Sequence, residues 1–345
     1  MSRIHVGMSG GVDSSLTAAL LKEQGHDVTG VYMKNWTEDL PGMRCPWADD
    51  LADAKRVAVQ LGIPFKVYDF EREYKQKVVD YMIAEYQAGR TPNPDIMCNQ
   101  EVKFKLFLEA ALEDGAEMIA TGHYARTESG RLLRAADNNK DQTYFLYRVT
   151  KEALEKTLFP LGGYTKPEVR KMAEERGLVT AGKRDSQGIC FVGSIGIKDF
   201  LSQYVTTEPG EIIEKGTGQI VGEHEGAIYY TLGQRHGLNV GGGLPYYVVG
   251  KDMDKNIVYV STNLNDETMW REKLELNSLH WIGAAPSVGE ALSVRLRHRG
   301  ELLPAVYDAD GLTLRKPERS VAAGQSAVLY RGDECLGGGF ISASA

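Results

Sequence analysis

Ser9-Gly10-Gly11-Val12-Asp13-Ser14-Ser15 follows the apolar run Ile4-His5-Val6-Gly7-Met8 and precedes Leu16-Thr17-Ala18-Ala19-Leu20-Leu21. The whole reads as a short strand, a Gly-Gly turn and a helix that opens on Asp-Ser-Ser. Such a corner is suited to holding an anion. Glycines let backbone N–H groups come close to it, the helix N-terminus offers unpaired donors and a favourable dipole, and two hydroxyls add more donors. The lysine of a Gly-Lys-Ser/Thr ending is missing, so this is not a Walker loop. The alternative is an ordinary strand–turn–helix corner. Two adjacent glycines alone do not separate the readings, whereas the full heptad in this setting favours a phosphate cradle.

Outward from this corner, strand and helix patterns alternate. Val28–Met33, Phe65–Phe70 and Met118–Gly122 read as strands, and Ala48–Leu61, Tyr74–Gln87 and Lys103–Leu112 as helices. This alternation predicts an α/β domain with a doubly wound parallel sheet. Ligands of such sheets sit beyond the carboxyl ends of the strands, where the strand order reverses. If the fourth strand neighbours the first, Thr121-Gly122-His123-Tyr124 lies beside the Ser9–Ser15 loop. From about Gly210 glycine becomes frequent and short β pieces replace helices, among them Ile228–Thr231, Tyr246–Val249 and Ile257–Ser261. Further candidate strands, Ser293–Leu296, Ala305–Tyr307, Leu312–Arg315, Ala327–Tyr330 and Gly338–Ile341, suggest a small C-terminal barrel. The expected division is 1–205 for the catalytic α/β domain, 206–272 for a central β-rich domain and 273–345 for the barrel.

The chain has 345 residues, more than one typical core holds. Its 42% apolar and 25% charged content is ordinary for a globular protein. No apolar stretch approaches membrane-spanning length, and the N-terminus runs straight into the first strand with no signal peptide, so a cytoplasmic enzyme is expected. The net charge of −7 argues against indiscriminate nucleic-acid binding but leaves room for a local basic surface that docks one RNA. The four cysteines, Cys45, Cys98, Cys190 and Cys335, form no CxxC pair and so give no sign of a zinc site or a secreted disulfide framework.

Two of those cysteines sit in unusual company. In Thr91-Pro92-Asn93-Pro94-Asp95-Ile96-Met97-Cys98-Asn99 the prolines are expected to keep the backbone out of helix until an element starts near Asn99. Asp95 and Cys98 then fall three apart on a turn entering a helix, where a thiol gains thiolate character and a carboxylate is better used to manage a substrate proton. The plainer alternative is a buried Cys98 with Asp95 as a cap. In Asp185-Ser186-Gln187-Gly188-Ile189-Cys190-Phe191-Val192-Gly193 the second cysteine follows a glycine and a polar run, a setting compatible with a mobile thiol. Cys45 and Cys335 read as structural. His123 is either a nucleotide contact or a locally bonded side chain. Arg295-Leu296-Arg297-His298-Arg299 would place three arginines on one face of a strand.

Taken together, SGGVDSS, TPNPDIMCN, TGHYA and DSQGICFVG, in this order and over the whole length, resemble the bacterial tRNA-specific 2-thiouridylases of the PP-loop ATP pyrophosphatase superfamily. The resemblance implies a reaction at the wobble uridine of tRNA. Adenylation of O2 by ATP releases pyrophosphate, and persulfide sulfur then replaces the activated oxygen at C2. By that resemblance ATP binds at Gly7, Met8, Ser9, Gly10, Gly11, Val12, Asp13 and Ser14, with Met33 and Gly122 on the adenosine side. Cys190 matches the persulfide carrier, Cys98 the cysteine that discharges it as a Cys98–Cys190 disulfide forms, and Asp95 the acid/base residue. Asn93, Pro94 and Asp95 match positions beside the target base, Lys140, Asp141 and Gln142 a tRNA-contacting loop, and Arg297 and His298 further tRNA contacts. Mg²⁺ is expected with the ATP, a persulfide-donating carrier protein as sulfur source, and a monomer as the working form.

Two other classes of reading compete. A PP-loop ligase or amidotransferase acting on a small molecule is opposed by the two cysteine blocks and by the lack of a glutaminase segment. A non-catalytic tRNA-binding or sulfur-carrier protein is opposed by the intact Ser9–Ser15 loop.

Overall fold

A computed structural model describes residues 1–39, 45–184, 196–238, 240–241, 243–263 and 265–342. The chain opens with β1 (Arg3–Gly7), α1 (Val12–Glu23), β2 (Asp27–Lys34), α2 (Trp47–Leu61) and β3 (Phe65–Asp69). A helical run follows, made of α3 (Glu71–Tyr74), a π-helical stretch (Lys75–Val79) and α4 (Asp80–Gln87). A second comprises α5 (Pro94–Met97), a π-helical stretch (Cys98–Leu106) and α6 (Phe107–Glu113). After β4 (Met118–Ala120) come β5 (Arg126–Glu128), β6 (Arg131–Leu133), α7 (Thr143–Leu146), α8 (Lys151–Glu155), β7 (Thr157–Leu158), α9 (Lys166–Glu175) and α10 (Ile197–Leu201).

The first sheet has the order β3-β2-β1-β4-β7, and every pair in it is parallel. Successive strand residues feed opposite cores. Ile4, Val6, Val28 and Tyr32 pack with Ala54 and Val57 of α2, whereas Val31 and Ile119 pack with Ile96, Phe104 and Phe107 of the second helical run. Both faces are therefore covered by helices, as a buried parallel sheet requires, and the doubly wound expectation holds. The order reverses between β1 and β4, whose register pairs Ile4 with Met118. The loops after these two strands thus flank the crevice of the switch point.

The second sheet, in the order β10-β11-β8-β9, is built from β8 (Gly210–Glu214), β9 (Ile220–His224), β10 (Tyr247–Asp252) and β11 (Ile257–Ser261). The strand expected at Ile228–Thr231 is instead a 3₁₀ turn over Ala227–Tyr229, its N–H groups bonding back within the turn. The barrel comprises β12 (Trp270–Trp281), β13 (Ala291–Arg295), β14 (Leu303–Asp308), β15 (Gly311–Arg319), β16 (Ser326–Arg331) and β17 (Glu334–Ile341). It closes because β12 pairs with both β15 and β17. The sheet then extends beyond closure: β17 also pairs with β6 of the N-terminal domain, Cys335 opposite Leu132, and β5 follows. Cys335 is accordingly buried in the seam between domains. Among the described residues no helix is long and apolar enough to cross a membrane.

Candidate active site

The phosphate cradle is assembled as its sequence suggests. Gly11 caps α1 with extended backbone and no side-chain bond, which leaves the first-turn amides for an anion. The Ser9 amide donates to Ser14 Oγ at 3.1 Å, and the Ser14 and Ser15 hydroxyls donate to the Gly11 carbonyl at 3.1 and 2.8 Å. Ser9 is exposed and Ser14 buried, so the loop has an open mouth and a firm floor. Gly10 has φ +74°, and a Cβ there would lie 2.3 Å from the Asp50 carbonyl of α2. Gly122 is set by proximity rather than by φ: a Cβ would stand 2.8 Å from the Ser14 amide nitrogen. The loops after β1 and β4 therefore touch, as the strand adjacency requires. Met33 reaches the same edge, its Cε 3.0 Å from where a Gly7 side chain would begin.

Asp13 is held by two residues whose part in the loop is not readable from their own neighbours in the chain. Lys166, the first residue of α9, places Nζ 2.7 and 2.8 Å from the two carboxylate oxygens, and Tyr124 donates its hydroxyl at 2.9 Å. The only sequence sign of Lys166 is its setting behind Thr165, which forms a capping box with Glu168. Its partnership with a residue so far away in the chain comes from the fold alone. His123 turns inward instead. It is buried, hydrogen-bonded to Thr121 at 2.8 Å and packed on Phe104 and Phe159, and burial holds its imidazole well below the usual histidine range.

Mg²⁺ that arrives with ATP needs only one or two protein carboxylates beside the phosphates. Among the described residues no three His, Cys, Asp or Glu side chains gather, and the carboxylate of the cradle is already paired with Lys166. The residues do not form a metal cage, and no step below runs through one.

The cysteine block starts its helix earlier than the prolines suggested. Pro94 occupies the first helical position, where its missing N–H costs nothing, and Asn93 caps the turn by accepting from the Asp95 amide at 3.2 Å. Asp95 is therefore not the cap. Its carboxyl is pushed above the usual aspartate range by burial, against the pull of Lys103. Cys98, one turn on, is 3% exposed in a cluster with Trp36, Cys45, Val102 and Phe200. Trp36 and Cys45 lie beyond the carboxyl end of β2, and Phe104, on the same helical run as Cys98, packs on His123 beyond β4. Both flanks thus fix this helix start at the sheet edge that carries the phosphate cradle.

The block also stands where three units meet. The Thr91 amide donates to the Ala323 carbonyl at 2.9 Å, the Thr91 carbonyl accepts from Gln325 Nε2 at 2.7 Å, and the Thr91 and Thr231 hydroxyls are 3.1 Å apart. One residue of the N-terminal domain is thereby bound to the barrel and to the central domain. Cys190 lies outside the described residues.

The remaining candidates divide. Lys140 and Gln142 are partly exposed, and Gln142 accepts from the Tyr124 amide at 2.9 Å. Asp141 is buried, its Oδ2 2.7 Å from Arg295 of β13 and its Oδ1 3.2 Å from the Ala135 amide. It braces the loop from below and presents no surface to an RNA. The three arginines do not share a face, because β13 ends at Arg295. Arg295 is buried, Arg297 is exposed, and Arg299 sits in a turn at φ +61°. His298 stacks on Phe145 with ring centres 4.4 Å apart, and the Phe145 carbonyl accepts from Asn99 Nδ2 at 3.3 Å. A track of contacts thus leads from the cysteine block to the Arg297 turn.

Comparison with known proteins gives three profile matches along the chain. Profiles described as tRNA methyl transferase HUP domain, tRNA methyl transferase PRC-barrel domain and aminomethyltransferase beta-barrel domain match residues 2–194, 198–262 and 271–341. The tRNA-specific 2-thiouridylase MnmA of Geobacillus thermodenitrificans is 46% identical over 99% of this chain and 94% of its own length. That of Bacillus subtilis is 46% identical over 99% and 95%. The chain belongs to the tRNA-specific 2-thiouridylase family. The domain descriptions speak of methyl transfer, but the thiouridylases match nearly from end to end and fix the family. A 4-thiouridine synthetase crystallised with RNA and ATP matches 59% of this thiouridylase-family chain at 18% identity and a TM-score of 0.39.

Proposed function

We propose that this protein is a tRNA-uridine 2-sulfurtransferase that uses ATP to make the wobble-uridine oxygen leave and a cysteine persulfide to take its place. In this reading the amides of the Ser9–Ser15 loop bind the phosphates. Uridine O2 attacks the α-phosphorus, pyrophosphate departs, and O2 becomes part of an AMP leaving group. The terminal sulfur of a Cys190 persulfide then adds to C2 and AMP leaves. The Cys98 thiolate attacks Cys190 Sγ, breaking the S–S bond. Sulfur stays on C2, and the Cys98–Cys190 disulfide must be reduced by a thiol before the next turnover. Asp95, kept protonated by burial more than an exposed aspartate is, suits the handling of a proton at the base.

The observation that carries this reading is the helix start at Asn93. It sets Asp95 and Cys98 one turn apart at the sheet edge that bears the phosphate cradle, where all three units touch Thr91 or its neighbours. A target base must be splayed out of the anticodon stack to arrive there. Cys98 is buried, so sulfur transfer requires the surroundings of this turn to open when tRNA docks. Lys140, Gln142, Arg297 and His298 line the approach we assign to the tRNA.

The test is thionucleoside analysis of tRNA incubated with the protein, ATP, Mg²⁺ and a persulfide donor. Wild type should yield 2-thiouridine, and its failure to do so sinks the reading. Cys98→Ser and Cys190→Ser should each abolish thiolation while tRNA-dependent pyrophosphate release continues, which separates activation from sulfur delivery.

A further inference from the structure

We propose that Lys166 is a positioning residue: it neutralises Asp13 and holds its carboxylate aside, so that the first turn of α1 can accept phosphates. The inference rests on the loop being an ATP site, and it names a residue that no motif of the loop contains.

A carboxylate is an odd neighbour for a triphosphate. Asp13 is the second residue of α1, where the helix dipole stabilises any anion and the free amides offer donors. Left alone, Asp13 would compete with the phosphates for those donors and repel them at short range. The structure removes it from that competition. Lys166 Nζ bridges both oxygens at 2.7 and 2.8 Å, and the Tyr124 hydroxyl adds a bond at 2.9 Å. The Lys166 side chain is 10% exposed and that of Asp13 31%, so solvent and salt reach the pair mainly from the acid's side. Nor is the lysine free to wander. Its amide donates to Asp137 Oδ2 at 3.0 Å, the Thr165–Glu168 capping box fixes the turn, and Nζ lies 5.8 Å from the centre of the Tyr124 ring. In a Walker loop the cation comes from within the motif; here it comes from α9, which packs against α1, and is spent on the loop's own acid.

The full-length protein tests this by calorimetric titration with ATP and by tRNA-dependent pyrophosphate release. Lys166→Met leaves Asp13 uncompensated, and ATP should bind at least about tenfold more weakly. Lys166→Arg keeps the charge and should stay within roughly threefold of wild type. The deciding variant is Asp13→Asn with Lys166→Met, which removes both charges. ATP affinity should return to within roughly threefold of wild type even if pyrophosphate release stays slow. A lysine needed only for packing predicts no such recovery. If Lys166→Met binds ATP as wild type does, or the double variant binds as weakly as the single, the inference falls. Should Lys166→Met fail to fold, the double variant against wild type decides on the same threshold. Wild type that binds no ATP overturns the ATP reading of the loop, and this inference with it; binding by wild type confines any failure to Lys166.

Discussion

At the scale of single residues, the cradle is governed by what cannot be present. A methyl on Gly122 would sit 2.8 Å from the Ser14 nitrogen and 2.9 Å from the Asp13 carbonyl carbon, both backbone atoms of the anion-binding turn. Gly122→Ala must therefore displace the loop after β4 or the first turn of α1. We expect ATP affinity to fall by at least about tenfold, read by titration calorimetry. Gly163→Ala, where nothing lies within 4 Å, should bind ATP as wild type does. The need for glycine at position 10 was legible in the sequence from the Gly-Gly pair before a helix, whereas Gly11 has ordinary extended backbone and room for a side chain. The need at 122 was legible only on the condition that β1 and β4 are neighbours. Lys166 was not legible at all, since a lysine at a helix start is common and its acid lies on another element.

Among the elements, α7 and the turn after β13 meet through His298, which faces both Phe145 and Tyr144, and through the Tyr144 hydroxyl, which donates to the Leu296 carbonyl. His298, against Phe145, is pushed down to about 4 by burial, with Arg299 and Arg295 adding repulsion. It is neutral at physiological pH, so in the tRNA contact proposed above it would act as a flat ring rather than as a charge. The linkage has a definite sign. The unfolded chain takes up a proton near pH 6.5, the folded chain only near 4, so this residue's contribution to stability is full above about 6.5 and is lost as the pH falls towards 4. Denaturant midpoints of His298→Gln, measured from pH 7.5 to 4.5, should decline less steeply than those of wild type. An identical decline would show that the ring is not held as described. Elements were legible where periodicity and breakers agreed, as in α2, which runs Trp47–Leu61 to a left-handed Gly62. They were misread where one residue type has two meanings. Pro94 begins a helix rather than delaying one, and Arg295, Arg297 and Arg299 alternate in sequence but leave the strand after the first of them. The hairpin of β5 and β6 carries no sign that its partner is the barrel.

For the whole molecule, the Asp141–Arg295 pair is a buried ionic tie between catalytic domain and barrel, beside the hydroxyl bonds of Tyr144 and Tyr147 to Ser326. Its side chains are 0% and 6% exposed, Thr143 donates to the same carboxylate, and Tyr330 lies 5.5 Å beneath the guanidinium. Arg134 also approaches this carboxylate, at 3.8 Å, so removing Arg295 leaves Asp141 only partly compensated. Arg295→Met should cost about 3 kcal/mol in urea unfolding, and adding Asp141→Asn should recover part of that loss. A single variant within about 1 kcal/mol of wild type would show that this pair adds little to the other contacts between the domains. The pair also fixes the Lys140–Gln142 loop to the barrel strand that ends beside His298 and Arg297. Catalytic domain and barrel accordingly present their candidate tRNA contacts as one surface.

The strand pairing of β6 with β17 has a consequence for how the protein is made. Leu132 and Leu133 bond to Cys335 and Glu334, partners that leave the ribosome about 200 residues later. At ordinary elongation rates the hairpin waits roughly 10–40 s with a bare edge. Throughout that interval it offers unsatisfied N–H and C=O groups to any other strand within reach. The last strand of the chain is thus the one that seals the first domain. A message cut short before it yields an N-terminal domain whose β6 edge is open to misassembly.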